Sequence, residues 1–77
     1  MLVEFRILCR DAEDSCSFVQ KLTPAKEGYT IRRASKYDDF DHIVSKNFNT
    51  LQEAKDKMKS LKQESHGKIL EHQIAVL

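Results

Sequence analysis

The stretch from Phe48 to Glu64 constrains this chain more than any other. Leu51, Ala54, Met58 and Leu61 recur at i, i+3, i+7 and i+10, which lines one face of a helix with a 3.6-residue period. Thr50 and Glu53 have the spacing of a capping box, in which hydroxyl and carboxylate satisfy backbone N–H groups at the helix start. Gly67 stands just past the far end, where a left-handed residue closes the last turn. Such a helix needs an apolar surface to lie on, and the rest of the chain reads as strands that supply it.

Residues 2–10 alternate. Val3, Phe5, Ile7 and Cys9 point one way and Glu4, Arg6 and Arg10 the other, with Leu2 and Leu8 as exceptions on the second face. Residues 11–15 are acidic and turn-like. Residues 16–22 fit two patterns: a helix with Cys16, Val19 and Leu22 on one stripe, or a strand with Cys16, Phe18 and Leu22 on one face. The helix is favoured, because the polar capping residues Asp14 and Ser15 precede it and Pro24 marks its stop.

Lys26-Glu27-Gly28 reads as a turn. Residues 29–36 form a strand with Tyr29, Ile31 and Arg33 on one face and Thr30, Arg32 and Ala34 on the other. Residues 37–39 reverse the chain, and residues 41–48 return with His42, Val44, Lys46 and Phe48 opposed to Ile43, Ser45 and Asn47. Residues 69–77 make a last strand, with Leu70, His72, Ile74 and Val76 opposite Ile69, Glu71, Gln73, Ala75 and Leu77. Apolar residues on both faces predict a place in the middle of a sheet or beneath a partner.

The resulting order is β-α-β-β-α-β in an α+β domain: a four-stranded antiparallel sheet with two helices on one face, the ferredoxin-like arrangement. The alternative, with a strand at 16–22, is a strand-rich meander crossed by one helix. At 77 residues the chain predicts one domain spanning 1–77. A fold this small buries roughly 60% of its unfolded surface, so a homodimer or a docked partner is physically attractive. No apolar run reaches the roughly 18 residues of a membrane span and the first residues enter a strand directly. The expectation is therefore a cytoplasmic protein, with no membrane partner and with Cys9 and Cys16 as thiols, Cys9 buried.

Catalytic chemistry finds little support. Asp41 and His42 are strand neighbours whose side chains leave on opposite faces, so they form no carboxylate–imidazole relay, and Asp38, Asp39 and Asp41 read as turn residues. Cys9, Cys16, His42, His66 and His72 match no metal-ligand spacing, and His72 reads as a core or interface histidine. With only Gly28 and Gly67, no phosphate-cradling loop forms. The sequence thus predicts no enzyme, no metal and no cofactor.

With 13 basic against 12 acidic residues, any attraction to nucleic acid must come from arrangement. Arg6, Arg10, Arg32, Arg33 and Lys46 supply cations, and Tyr29, Tyr37, Phe40 and Phe48 offer stacking surfaces if they stand on the open sheet face. The RRM signature, however, needs a Lys/Arg-Gly-aromatic run on the third strand, and residues 40–48 lack the glycine. On the helix, Lys55, Lys59 and Lys62 form an outward stripe, ordinarily a solvated face and alternatively a dock for an acidic partner. Glu53 and Lys57 have the i, i+4 spacing of an ion pair.

The function expected first is a non-enzymatic module that binds a protein through Arg6, Arg10, Tyr29, Arg32, Arg33, Tyr37, Phe40 and Lys46, since arginine and aromatic residues are enriched at interface centres. Its size and style are those of phage or accessory-genome inhibitors and adaptors. Nucleic-acid binding by the arginine face comes second. A small ACT-like regulatory domain comes last, because residues 10–15 lack the glycine of that ligand loop. Val19→Pro separates the two folds: it breaks a helix and is tolerated by an edge strand, so the favoured fold predicts loss of cooperative thermal unfolding monitored by circular dichroism.

Overall fold

A computed structural model describes residues 1–10, 19–33 and 39–77, the side chain of Arg33 excepted. Strand β1 runs Leu2–Cys9, and residues 19–22 are helical and are labelled α1, residues 16–18 of the expected helix lying outside the described residues. Then follow a 3-10 turn at Ala25–Glu27, β2 (Thr30–Arg33), β3 (His42–Asn47), α2 (Leu51–Glu64) and β4 (Ile69–Val76). The sheet order is β2-β3-β1-β4 and every pairing is antiparallel. This is the ferredoxin-like β-α-β-β-α-β topology, and the meander with a strand at 16–22 is ruled out by the helical backbone of 19–22.

Alternation in β1 decides which face is covered. Val3, Phe5, Ile7 and Cys9 are all buried, and they meet Val44 of β3, Ile69 of β4, Ala54, Met58 and Leu61 of α2, and Val19 of α1 in one core. Leu22, Ile31 and Ile74 pack against its margins. Each large side chain removed from water here contributes on the order of 1.5–3 kcal/mol. Thr23 closes α1, its hydroxyl and its N–H both donating to the Val19 carbonyl at 2.8 and 3.1 Å. Gly28, at φ 95°, then turns the chain into β2 in a conformation that a Cβ would strain.

The start of α2 is capped as its sequence predicts, with one difference. The Thr50 hydroxyl accepts from the Glu53 N–H at 3.1 Å, but the Glu53 carboxylate accepts from Asn49, one residue before the cap, at 3.3 Å. Glu53 is thereby engaged at the cap and makes no ion pair with Lys57. Among the described residues the ion pair is Arg6 with Glu4. At the far end the left-handed backbone begins one residue earlier than expected, at His66 (φ 52°), and continues through Gly67 (φ 85°).

Two expectations for β4 need correction. It is an edge strand, not a central one, and Leu70 and Val76 are 45% and 53% exposed. Its alternation also slips: the register passes from Leu8↔Glu71 to Cys9↔Ile69, so Leu70 is the extra residue of a bulge. Ile69 therefore joins His72 and Ile74 on the core side, where strict alternation would have placed it on the opposite face. The core is tight enough that Met58, fully buried, cannot be shortened without leaving a void. Met58→Ala should lower unfolding stability by about 2–5 kcal/mol, measured by urea denaturation.

Candidate functional site

The face of the sheet away from α2 carries the even-numbered residues of β1. Register places Arg32 of β2, Ile43 of β3, Arg6 of β1 and Gln73 of β4 in one row across all four strands. Together with Glu4, Asp39 and Phe40 they line a cleft of about 340 Å³. Ile43 is its floor. Although it faces away from the main core, only 4% of it is exposed, covered by the longer side chains around it.

The electrostatics of the cleft are mixed. Arg6 Nε donates to Glu4 Oε1 at 2.8 Å between side chains two residues apart on the same strand face, so much of its charge is already compensated. Arg32 is exposed, and Asp39 brings a second carboxylate to the rim. Phe40 stands half-buried at the edge. Such a surface offers planar hydrogen-bond donors, one aromatic ring and an apolar floor between opposite charges.

Of the eight residues expected to bind a partner, the fold brings Arg6, Arg32 and Phe40 together. Arg10 lies beyond β1, exposed, with its N–H on the Lys68 carbonyl at 2.8 Å and outside the cleft. Tyr29 is a correction: only 5% exposed, it packs edge-on against Phe48 with ring centroids 6.5 Å apart. Burial, then the nearby Glu27 charge, raises the pKa of its phenol. Phe48 is buried too, stacked in tilted fashion on Phe5 at 5.6 Å. Lys46 also faces the helix side, its Nζ 4.7 Å from the Tyr29 ring centroid and 5.4 Å from that of Phe48. Tyr29, Phe48 and Lys46 are thus core and core-rim residues, because the alternation that buries Val44 carries Lys46 and Phe48 with it. Arg33 follows Arg32 in β2, and its side chain lies outside the described residues. Tyr37 and the loop at 11–15 lie outside the described residues.

Asp41 is structural in its contacts. Its Oδ2 accepts from the Cys9 N–H at 2.8 Å and its N–H donates to the Ile7 carbonyl at 2.9 Å, tying the β3 entry to the end of β1. His42 is 4% exposed on the opposite, core side. Among the described residues no group of three or more His, Cys, Asp or Glu side chains gathers as a metal site would require. Among the described residues no helix is long and apolar enough to cross a membrane.

A second concavity lies between α2 and β4. Lys55, Lys59, Lys62, Gln63, His72 and Ile74 enclose about 440 Å³. The three lysines follow Ala54, Met58 and Leu61 by one residue, and a step of roughly 100° puts them on the flank of the helix instead of its outer face. The three lysines are exposed, as expected of a solvated stripe, and they also wall this groove. His72 is half-buried at its base, with Nδ1 out of water and without a hydrogen-bond partner among the described residues.

No family model matches this chain, and no curated protein matches it. Among solved structures, it is similar to a hypothetical protein from Pyrococcus horikoshii, at 22% identity and a TM-score of 0.60, over 100% of this chain and 92% of that one. It is also similar to a de novo designed protein with ferredoxin fold, at 19% identity and a TM-score of 0.48, over 96% of this chain and 79% of that one. The first likeness shows the fold and nothing about function.

Burial, and then the charge of Lys62, lower the pKa of His72 below its ordinary 6.5. The unfolded chain therefore takes up this proton more readily than the folded one, and stability falls as pH drops below about 6.5 until the folded-state pKa is passed. Thermal unfolding scanned from pH 8 to pH 4.5 should show that loss, and His72→Gln should remove its share.

Proposed function

We propose that this chain is a non-enzymatic module that binds a partner protein on the open face of its sheet and acts by occupying the partner's surface, as an inhibitor or adaptor does. The observation that carries this reading is the row Arg32–Ile43–Arg6, flanked by Phe40: two arginines and an aromatic ring over an apolar floor. These residue types dominate binding energy at protein interfaces when a surrounding rim excludes water. Glu4 and Asp39 in the same cleft favour a protein of mixed charge over a phosphate backbone.

Nucleic-acid binding is the weaker reading. Its stacking platform needed Tyr29 and Phe48, which are enclosed in the core, leaving Phe40 as the aromatic ring at the cleft among the described residues. The balance of basic and acidic residues likewise gives no long-range attraction to a polyanion.

The two readings separate on an affinity column. A tagged chain is expected to retain a defined protein after nuclease treatment, and Arg32→Glu is expected to weaken that interaction about 30-fold, equivalent to a hot-spot loss of about 2 kcal/mol. The thermal midpoint should stay within the range of an ordinary surface substitution. Retention of a species absorbing at 260 nm that leaves with rising salt, and no retained protein, would overturn the proposal.

A further inference from the structure

The groove between α2 and β4 is a second surface, and its reading does not depend on the open-face cleft. Among the described residues, the side of β4 away from β1 has no neighbouring strand. The Leu77 N–H donates to the Leu2 carbonyl at 2.9 Å, and the register continues through Glu4↔Ala75 and Arg6↔Gln73. In an antiparallel ladder, alternate residues turn their backbone groups toward the partner strand. Residues 73, 75 and 77 thus face β1, and His72, Ile74 and Val76 present N–H and C=O to the outside.

The same three residues pair with Ile7, Phe5 and Val3 of the core row, so their side chains stand on the α2 side. A strand added at this edge would hydrogen-bond to them, and every second side chain of that strand would enter the groove. The groove suits an amphipathic visitor. Its base is Ile74 and the His72 ring, and its wall is the stems of Lys55, Lys59 and Lys62, exposed residues that make no ion pair among the described residues. The unpartnered Nδ1 of His72 lies at the same place. Leu70, Val76 and Leu77 leave further apolar surface uncovered along the strand.

We propose that β4 and this groove accept an extended acidic segment of a partner protein as a fifth strand. An apolar side chain lies on Ile74, and carboxylates at the neighbouring groove-facing positions meet the lysines. Backbone hydrogen bonds along an open edge supply affinity in this mode, and the side-chain pockets supply selection. A second copy of the chain is a poor occupant. Two-fold pairing of β4 with itself would set one lysine flank against another, and like charges so placed repel.

The test is a titration of the full-length, ¹⁵N-labelled chain with a short blocked peptide that alternates threonine with glutamate and valine, against the same peptide carrying lysine in place of glutamate. Amide shifts from the acidic peptide are expected in residues 69–76 and 51–64, with affinity at least about tenfold above that of the lysine peptide and falling as salt rises. Lys55→Glu combined with Lys59→Glu should invert the preference. Val76→Pro removes an outward N–H while sparing the β1 ladder, and should weaken binding about tenfold with the circular dichroism unchanged. Arg32→Glu should leave the peptide affinity as it was, which separates this site from the open-face cleft. No shifts at millimolar peptide, equal affinity for both peptides, shifts confined to the open face, or a chain that sediments as a β4-paired dimer would each overturn the proposal.

Discussion

Everything in this fold hangs on the contact between one stripe of α2 and one row of β1. Ala54, Met58 and Leu61 lie over Val3, Phe5, Ile7 and Cys9, and all seven are nearly or wholly removed from water. In a domain of this size the apolar area available is small, so a single shared core must offset the conformational entropy of ordering the whole chain. β1 can serve because it is central, bonded to β3 on one side and β4 on the other. The alternation of β1 then dictates the rest. With odd residues committed to the core, Glu4 and Arg6 must stand on the opposite face, and the register of β2, β3 and β4 decides what stands beside them.

Both candidate surfaces are by-products of that commitment. The open-face cleft exists because Ile43 alternates with two core-facing neighbours, His42 and Val44, and is sheltered by Arg6, Arg32 and Phe40. The α2–β4 groove exists because one helix meets the outermost strand only along its inner stripe, leaving a gap that the lysine stems wall off. One surface is mixed in charge and the other is basic over an apolar base, so the two suit partners of different character.

Much of the architecture was legible because its signals are local. The i, i+3, i+7 spacing of α2, the Thr50 cap, the alternation of β1 and β3 and the stop at Pro24 each depend on residues within a few positions of one another. The site was less legible. Tyr29 and Phe48 look like stacking residues in a list of aromatics, but their strand parity puts them with Val44 and Ile31 under the helix side. Following parity from β1 through the pairings would have found this, and would also have brought out Ile43, Gln73 and Glu4 as neighbours of Arg6. The bulge at Leu70 had no such signal, since it arises where β4 must meet both the end of β1 and the close of α2.

The amino-acid order alone determined that α2 is a helix, that β1 and β3 are strands and which residues of each share a face, because helix and strand periods are properties of consecutive residues. It left residues 16–22 open between helix and strand and misplaced Ile69. The tertiary structure decided which strand became an edge, which arginine found a carboxylate, and that the exposed Lys55, Lys59 and Lys62 stand beside β4 and wall a groove. Those outcomes depend on residues far apart in the chain meeting across a sheet, and no local pattern encodes the meeting.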